Sequence, residues 1–404
     1  MLDAIYAHTP IADLVTERAW VQAMLDVEAA LTSALASMDE VPEQSARRIA
    51  AACDAERYDL ESLGRQTALH ATPVVGLVAA LRERVPEDDR AFVHRGATSQ
   101  DIVDTALMLI AKRALTPLLA TCREASGTVF QLAQSHRHTP MIARTLLRQA
   151  LPTTFGLRAA IWLDGIDAAR TRLRAVQETG LAVQMGGAVG GRDPELGRRV
   201  AVTLELADPV IGWGSTRVRS AELAGALGVL AGVLGKVARD VTLLAQDEVG
   251  EVSEGGDEGG GSTAMAHKRN PVAAISTLAC TRRVPGLVAT VLAGMEAEHE
   301  RAAGAWQSEW GTLAELLTLT GSAATWTGEL VDGLRVHTDR MAENLLAAAA
   351  GDQPPPAGID ELIDRALAAH LSPAVEPGGF TTVRPSGDPP GDVDVRDRRQ
   401  DRIG

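Results

Sequence analysis

Cysteine is nearly missing from this chain: Cys53, Cys122 and Cys280 are the only three in 404 residues, far apart and in no CxxC or Cys/His pattern. That usage excludes a disulfide framework, suggests no zinc site and points to a reducing compartment, the cytosol. Aromatic residues are scarce at 3%, against 46% hydrophobic residues dominated by alanine and leucine, a mixture that favours helices over sheets. No basic-then-apolar segment opens the chain, which carries Asp3, Asp13 and Glu17 early on, so no signal peptide is expected. The longest nearly uncharged run, Leu223 to Gly235, falls short of the roughly 20 residues a bilayer requires, and nothing is expected to span or anchor. An excess of positive charge is also lacking. The formal charge of -14 argues against nucleic acid or an anionic membrane as partner, although a few arginines in a cleft can still favour an anionic substrate. No cofactor motif occurs, and neither cofactor nor metal is expected.

What the chain does have is length and helical periodicity. It is long enough to bury a large core and to hold two or three domains. Up to about residue 95, short helical patterns break at Pro10, Pro42, Pro73 and Pro86, and Trp20, Met24, Val27 and Leu31 recur as one buried helical face would require. A helix is expected from about 154 to 178, followed by a flexible turn at Gln184 to Gly191 to which no chemistry is assigned. Leu223, Leu227, Leu230, Leu234, Val237, Val241 and Leu244 form a heptad seam whose intervening residues stay small and apolar until Lys236. A helix apolar all round is expected to contact other subunits as well as its own core. Pro271 can start another helix reaching about 299. From about 372 onward, prolines, glycines and alternating charges suggest a disordered tail.

Four segments could carry chemistry. Gly255 to Pro271 sets five glycines, two carboxylates, hydroxyls, Lys268 and Asn270 between two apolar helical patterns, which suits a mobile polar loop as well as a plain linker. In a loop, Ser262 could move a proton while Lys268 and Asn270 hold negative charge. Thr98 and Asp101 have the spacing of a capping box, and the helix they start could cradle a carboxylate. Arg144, Thr145, Arg148 and Gln149 lie among leucines, where a solvated helix stripe is the alternative. Arg301 could clamp a carboxylate or simply pair with Glu298 or Glu300, and Trp306 and Trp310 are better suited to packing.

Gly261-Ser262-Thr263-Ala264-Met265-Ala266-His267-Lys268-Arg269-Asn270-Pro271 resembles the signature loop of the fumarase/aspartase superfamily, departing from it at Thr263 and Ala266. The resemblance implies Ser262 as proton-abstracting base, Lys268 and Asn270 as stabilisers of an enediolate, and His267 as a substrate contact. His94-Arg95-Gly96-Ala97-Thr98-Ser99-Gln100-Asp101 is similar to the superfamily's carboxylate-binding segment and implies His94, Thr98, Ser99 and Gln100 as binding residues, with Arg95 where tryptophan is usual. Ala143 to Gly156 resembles a third segment, implying Arg144, Thr145, Arg148 and Gln149 as substrate contacts, with Arg148 in place of a glutamine. Fumarases, argininosuccinate lyases and adenylosuccinate lyases have a histidine after Arg-Thr; here it is Leu146. Expelling an amine or hydroxide needs a proton from such a group. A carboxylate, whose conjugate acid has a pKa of about 4, leaves without one and favours a nearby cation such as Arg148. Glu298 to Trp310, including Arg301, and the opening helix Ala19 to Leu31 are similar to the 3-carboxy-cis,cis-muconate cycloisomerase branch.

The resemblance implies an all-α fold with a long central helical bundle and small flanking helical domains. Its expected limits are an N-terminal domain at 1–95, a central domain at 96–335 bearing the signature loop at 250–271, an abbreviated C-terminal domain at 336–371 and a tail at 372–404. It further implies a cytoplasmic homotetramer with active sites shared between subunits, a small di- or tricarboxylate substrate, no cofactor, and cycloisomerase chemistry in aromatic catabolism. The alternatives are a β-elimination C–N lyase like nitrosuccinate lyase or adenylosuccinate lyase, releasing fumarate, and a catalytically inactive scaffold.

Overall fold

Polar caps divide the first part of the chain into helices α1 (Ile11–Leu14), α2 (Glu17–Ser37), α3 (Glu43–Ala52), α4 (Leu60–His70) and α5 (Pro73–Glu83). The side chains of Thr16, Asp59 and Thr72 accept from backbone N–H groups in the first turns of α2, α4 and α5, and Pro73 adds its fixed φ at the start of α5. Met24, Val27 and Leu31 are buried on α2, as their spacing requires. The computed structural model describes residues 1–255, 260, 261, 264, 265, 268–348, 351 and 353–372; the expected tail at 372–404 lies outside them except for Ser372.

A bundle follows. Helix α6 (Ser99–Ser135) leads into a hairpin of β1 (Pro140–Thr145) and β2 (Arg148–Thr154), then α7 (Phe155–Ala175), α8 (Pro194–Leu204) and α9 (Val218–Leu244). Strand β3 (Val252–Glu254) precedes the signature loop, and α10 (Val272–Ala293) and α11 (Ala305–Asp332) complete the long helices before β4 (Leu334–Val336), α12 (Thr338–Ala347) and α13 (Ile359–Leu371). Helices α6, α7, α9, α10 and α11 pack on one another, and β4 pairs antiparallel with β3. One apolar cluster runs from α2 through α6 to α9 and α11, across the expected limit at 95. Met341, Ile359, Ile363 and Leu367 dock on a second cluster with Phe155, Trp162 and Val241, across the limit at 335.

Three local expectations change. The segment at 143–156 is a hairpin, not a solvated helical stripe, paired from Pro140↔Thr154 to Thr145↔Arg148. At its tip Leu146 and Leu147 have φ of +51° and +64°, a left-handed conformation that branched residues seldom adopt. Helix α10 stops at Ala293, short of 299, because Gly294 caps it and His299 and Gly304 take positive φ to turn the chain into α11. Helix α9 extends beyond Leu223 to Gly235 to 27 residues and is long and apolar enough to cross a membrane by composition. Its most apolar window is 56% buried inside the chain, as in a core helix. The heptad residues Leu223, Leu227, Leu230, Leu234, Val237 and Val241 are fully enclosed, while Val218 and Val229 are exposed on another face.

Burial also fixes the cysteines. It is the main cause pushing the Cys53 and Cys122 thiols up to about 12 and the Cys280 thiol up to about 11; at Cys53 the nearby Glu28 and Asp26 add to it. Because the thiolate is the reactive form, native protein at neutral pH is expected to resist a disulfide-exchange reagent and to release three equivalents of thiol only on denaturation. Rapid reaction of any cysteine in the folded protein would contradict this.

Candidate active site

The start of α6 is built as an anion cradle. Thr98 donates its N–H to Asp101 Oδ2 at 3.0 Å, and the two residues form the expected capping box. The same buried carboxylate accepts from Gly186 and Gly187 N–H at 3.0 Å each. Burial pushes the Asp101 pKa up, and these backbone donors and Arg192 offset it only in part. The glycine-rich turn at Gln184 to Gly191 therefore fastens the helix start. Arg301, 203 residues away in sequence, donates Nη2 to Thr98 Oγ1 at 2.6 Å. Ser99 stands half-buried at the first helical position, and His94, at φ +61°, adds an imidazole. A helix N-terminus, a guanidinium and a ring nitrogen together suit a carboxylate.

Gln100 does not join them. It is 2% exposed and donates Nε2 to Gly214 O at 2.5 Å, so its amide braces the turn before α9 instead of facing a ligand. The reason is rotational: successive helix positions lie about 100° apart, and Ser99 takes the outward direction.

The signature loop is stapled at its neck. Asn270 donates both its backbone N–H, at 2.8 Å, and its side-chain Nδ2, at 3.1 Å, to Gly260 O, and Gly261 bridges Arg269. A Cβ on Gly260 would sit 2.6 Å from Asn270 O, and its φ is +69°, so glycine is required there. Below the neck, Glu254 caps α10 by accepting from Ala273 N at 3.0 Å and Ala274 N at 2.8 Å. Lys268 is exposed. Ser262 and His267, and with them the expected mobility of the loop tip, lie outside the described residues.

The hairpin places Thr145, Arg148 and Gln149 in solvent beside the exposed Leu146. Arg144 departs from the expectation. Its Nη1 and Nη2 bind both oxygens of Glu251 at 2.9 and 2.8 Å, and Glu251, fully buried, also accepts from Asn344 at 2.8 Å. A buried carboxylate needs that bidentate partner, so Arg144 ties the hairpin to the base of the loop and to α12.

These residues thus form two groups, not one. Helix α6 has 37 residues, about 55 Å at ~1.5 Å per residue. His94, Thr98 and Ser99 precede or begin it, with Arg301 beside them; the hairpin follows its far end, joined through Arg144 and Glu251 to the loop base.

Beneath the cradle lies a buried ion network that the sequence did not reveal. Arg217 contacts Asp104 at 2.7 and 3.1 Å and Glu309 at 2.9 and 2.6 Å, while Trp306 Nε1 donates to Asp104 Oδ1 at 2.8 Å. All three ionic side chains are 1% exposed or less. Burial alone would lower the guanidinium pKa, but the two carboxylates more than reverse it and raise it. Glu28 was missed as well. It is a fully buried carboxylate on the face of α2 that carries Met24 and Leu31, and a lone acid inside that apolar repeat was the available signal. A cavity of about 570 Å³ between α2, α4, α5, α6 and α11, lined by Trp20, Met24, Leu63, Leu77 and Trp310 among others, contains none of the expected site residues.

A family model described as lyase matches residues 6–286. The chain is 42% identical over 339 residues to a 3-carboxy-cis,cis-muconate cycloisomerase of Bradyrhizobium diazoefficiens, covering 81% of this chain and 75% of that protein. It is also 42% identical over 363 residues to a nitrosuccinate lyase of Streptomyces davaonensis, covering 85% and 76% respectively. The crystal structure of a 3-carboxy-cis,cis-muconate lactonizing enzyme from Pseudomonas putida superposes with a TM-score of 0.80 at 33% identity, over 91% of this chain and 87% of that one. The all-α architecture, the cradle at the start of α6 and the stapled loop agree with these likenesses: the chain is an enzyme of the fumarase/aspartase superfamily of lyases, on its 3-carboxy-cis,cis-muconate cycloisomerase branch.

Proposed function

We propose that this enzyme is a cofactor-free cycloisomerase that closes 3-carboxy-cis,cis-muconate to a carboxymuconolactone. A carboxylate oxygen of the substrate adds to the conjugated double bond, and the displaced electron pair moves onto a second carboxylate as an enediolate. Lys268 and Asn270 stabilise that charge, and Ser262 delivers the proton to carbon. Thr98, Ser99, His94 and Arg301 hold a carboxylate at the start of α6. The observation that carries the reading is the exposed hairpin tip, which presents Leu146 with Arg148 and no proton donor at that position; ring closure needs none there, because nucleophile and leaving group are one carboxylate.

The two groups of site residues also support a homotetramer in which one copy's loop and hairpin meet another's cradle, with Val218 and Val229 of α9 toward the centre. The cytoplasm and the breakdown of aromatic compounds suit that chemistry. Nitrosuccinate is a second reading, favoured by the likeness to the Streptomyces davaonensis enzyme, since nitrite too is a weak base that leaves without a proton. Incubation with each compound, followed by ultraviolet absorbance, separates the two. Lactone above background supports the first, fumarate from nitrosuccinate the second. Neither product from either compound refutes both readings.

A further inference from the structure

Glu28 is fully buried on α2, its Oε1 lies 2.6 Å from His94 Nδ1, and its Oε2 has no hydrogen-bond partner. Among the described residues His94 is its one hydrogen-bond partner through the carboxylate, and the ring's own Nε2 has none, although the imidazole keeps 16% of its surface open. We propose that Glu28 is a positioning residue that fixes His94 as an Nε2–H donor to a substrate carboxylate.

The argument is a count of protons. An ionised carboxylate enclosed without a compensating charge is strongly disfavoured, so the pair is held neutral. A neutral pair has two protons over four sites, but a proton on Oε2 would be a buried O–H without an acceptor, which leaves Oε1, Nδ1 and Nε2. Either Glu28 is ionised and both ring nitrogens are protonated, or Glu28 is protonated toward Nδ1 and the ring's own proton sits on Nε2. In both arrangements one proton occupies the Oε1···Nδ1 contact and the other is on Nε2, which has no hydrogen-bond partner among the described residues. The left-handed backbone of His94 at φ +61° is the kind of local strain kept where a side chain must point one way. Close by in the chain is the start of α6, whose Thr98 already holds the Arg301 guanidinium, so a donor at Nε2 adds a third group suited to an anion there.

This inference rests on the carboxylate substrate class proposed above but not on which reaction follows, and the test separates the two. Binding of tricarballylate, an unreactive tricarboxylate, is measured by calorimetry in a double-mutant cycle. Glu28→Leu is expected to weaken binding about tenfold, the scale of one charge-assisted hydrogen bond. His94→Gln, whose amide nitrogen overlays Nε2, should retain more affinity than His94→Asn. In the His94→Gln background Glu28→Leu should add less than a twofold loss, because Glu28 then has no ring to orient. Should Glu28→Leu misfold, Glu28→Met is put through the same cycle. Equal losses in both backgrounds would assign Glu28 a purely structural role and overturn the proposal, as would unchanged affinity in Glu28→Leu or no binding by the wild-type protein at millimolar ligand. A wild-type protein that binds tricarballylate with the expected coupling, yet makes no lactone, would refute the proposed reaction and leave the Glu28–His94 pair standing.

Discussion

Ser262→Ala is expected to lower kcat for lactone formation by about 1000-fold, within the range a positioned proton donor contributes, while the melting temperature stays unchanged. The stability half of this expectation comes from the loop neck, where Asn270 holds Gly260 and Gly261 bridges Arg269. The activity half has a sharper form. Arg301→Ala is expected to impair turnover as well, by removing the cation on Thr98. Because the loop base and Arg301 lie toward opposite ends of one bundle, co-assembly of the two defective proteins should regenerate some centres with an intact loop from one copy and an intact arginine from another. Recovery of activity after mixed refolding, absent when each variant is refolded alone, is the measurement. A Ser262→Ala protein as active as its parent would remove the proton-transfer role, and failure to complement would point to a site completed within one chain.

The second large effect concerns folding. Arg217→Met is expected to destabilise the protein by about 3–5 kcal/mol, the cost of leaving a buried ion group without its partner. Here two carboxylates, Asp104 and Glu309, would be stranded in a region where every ionic side chain is 1% exposed or less. The denaturation midpoint of soluble protein reports the loss. A compensating set, Asp104→Leu with Arg217→Met and Glu309→Leu, should recover much of the stability, because apolar replacement of a whole buried ion cluster is often neutral or favourable. Recovery should stay incomplete, since Trp306 Nε1 loses its acceptor. Unchanged stability in Arg217→Met would mean that water or a rearranged side chain satisfies both carboxylates.

The sequence and the structure diverge in an instructive way. Periodicity located α2 and α9 because burial of Met24, Val27, Leu223 and Leu227 requires a 3.6-residue repeat, and capping located α6 because Thr98 and Asp101 must stand three residues apart to satisfy each other. The signature loop was legible through its glycines and its resemblance to the family. What stayed hidden depends on partners remote in sequence. Arg144 read as a ligand contact because nothing local announces Glu251, and Gln100 because facing direction within the first turn of a helix is decided by what packs beside it. Arg217 looks like any surface arginine until Asp104 and Glu309 are brought to it. Helix α10 was overextended because Pro285, a residue that usually ends helices, is tolerated inside it, which left no clear local signal but Gly294.

The turn joining β1 to β2 bears on the order in which the molecule comes together. Asparagine and glycine are the residues that let a two-residue hairpin loop close by itself; Leu146 and Leu147 do not, so this ribbon is a poor nucleus. Its strands are instead brought face to face from outside, by Phe155 N–H donating to Thr139 O and Gly156 N–H to His136 O at the junction of the two flanking helices. The hairpin therefore follows the helical frame in folding rather than leading it, and a φ-value survey should find its tip unformed at the rate-limiting barrier.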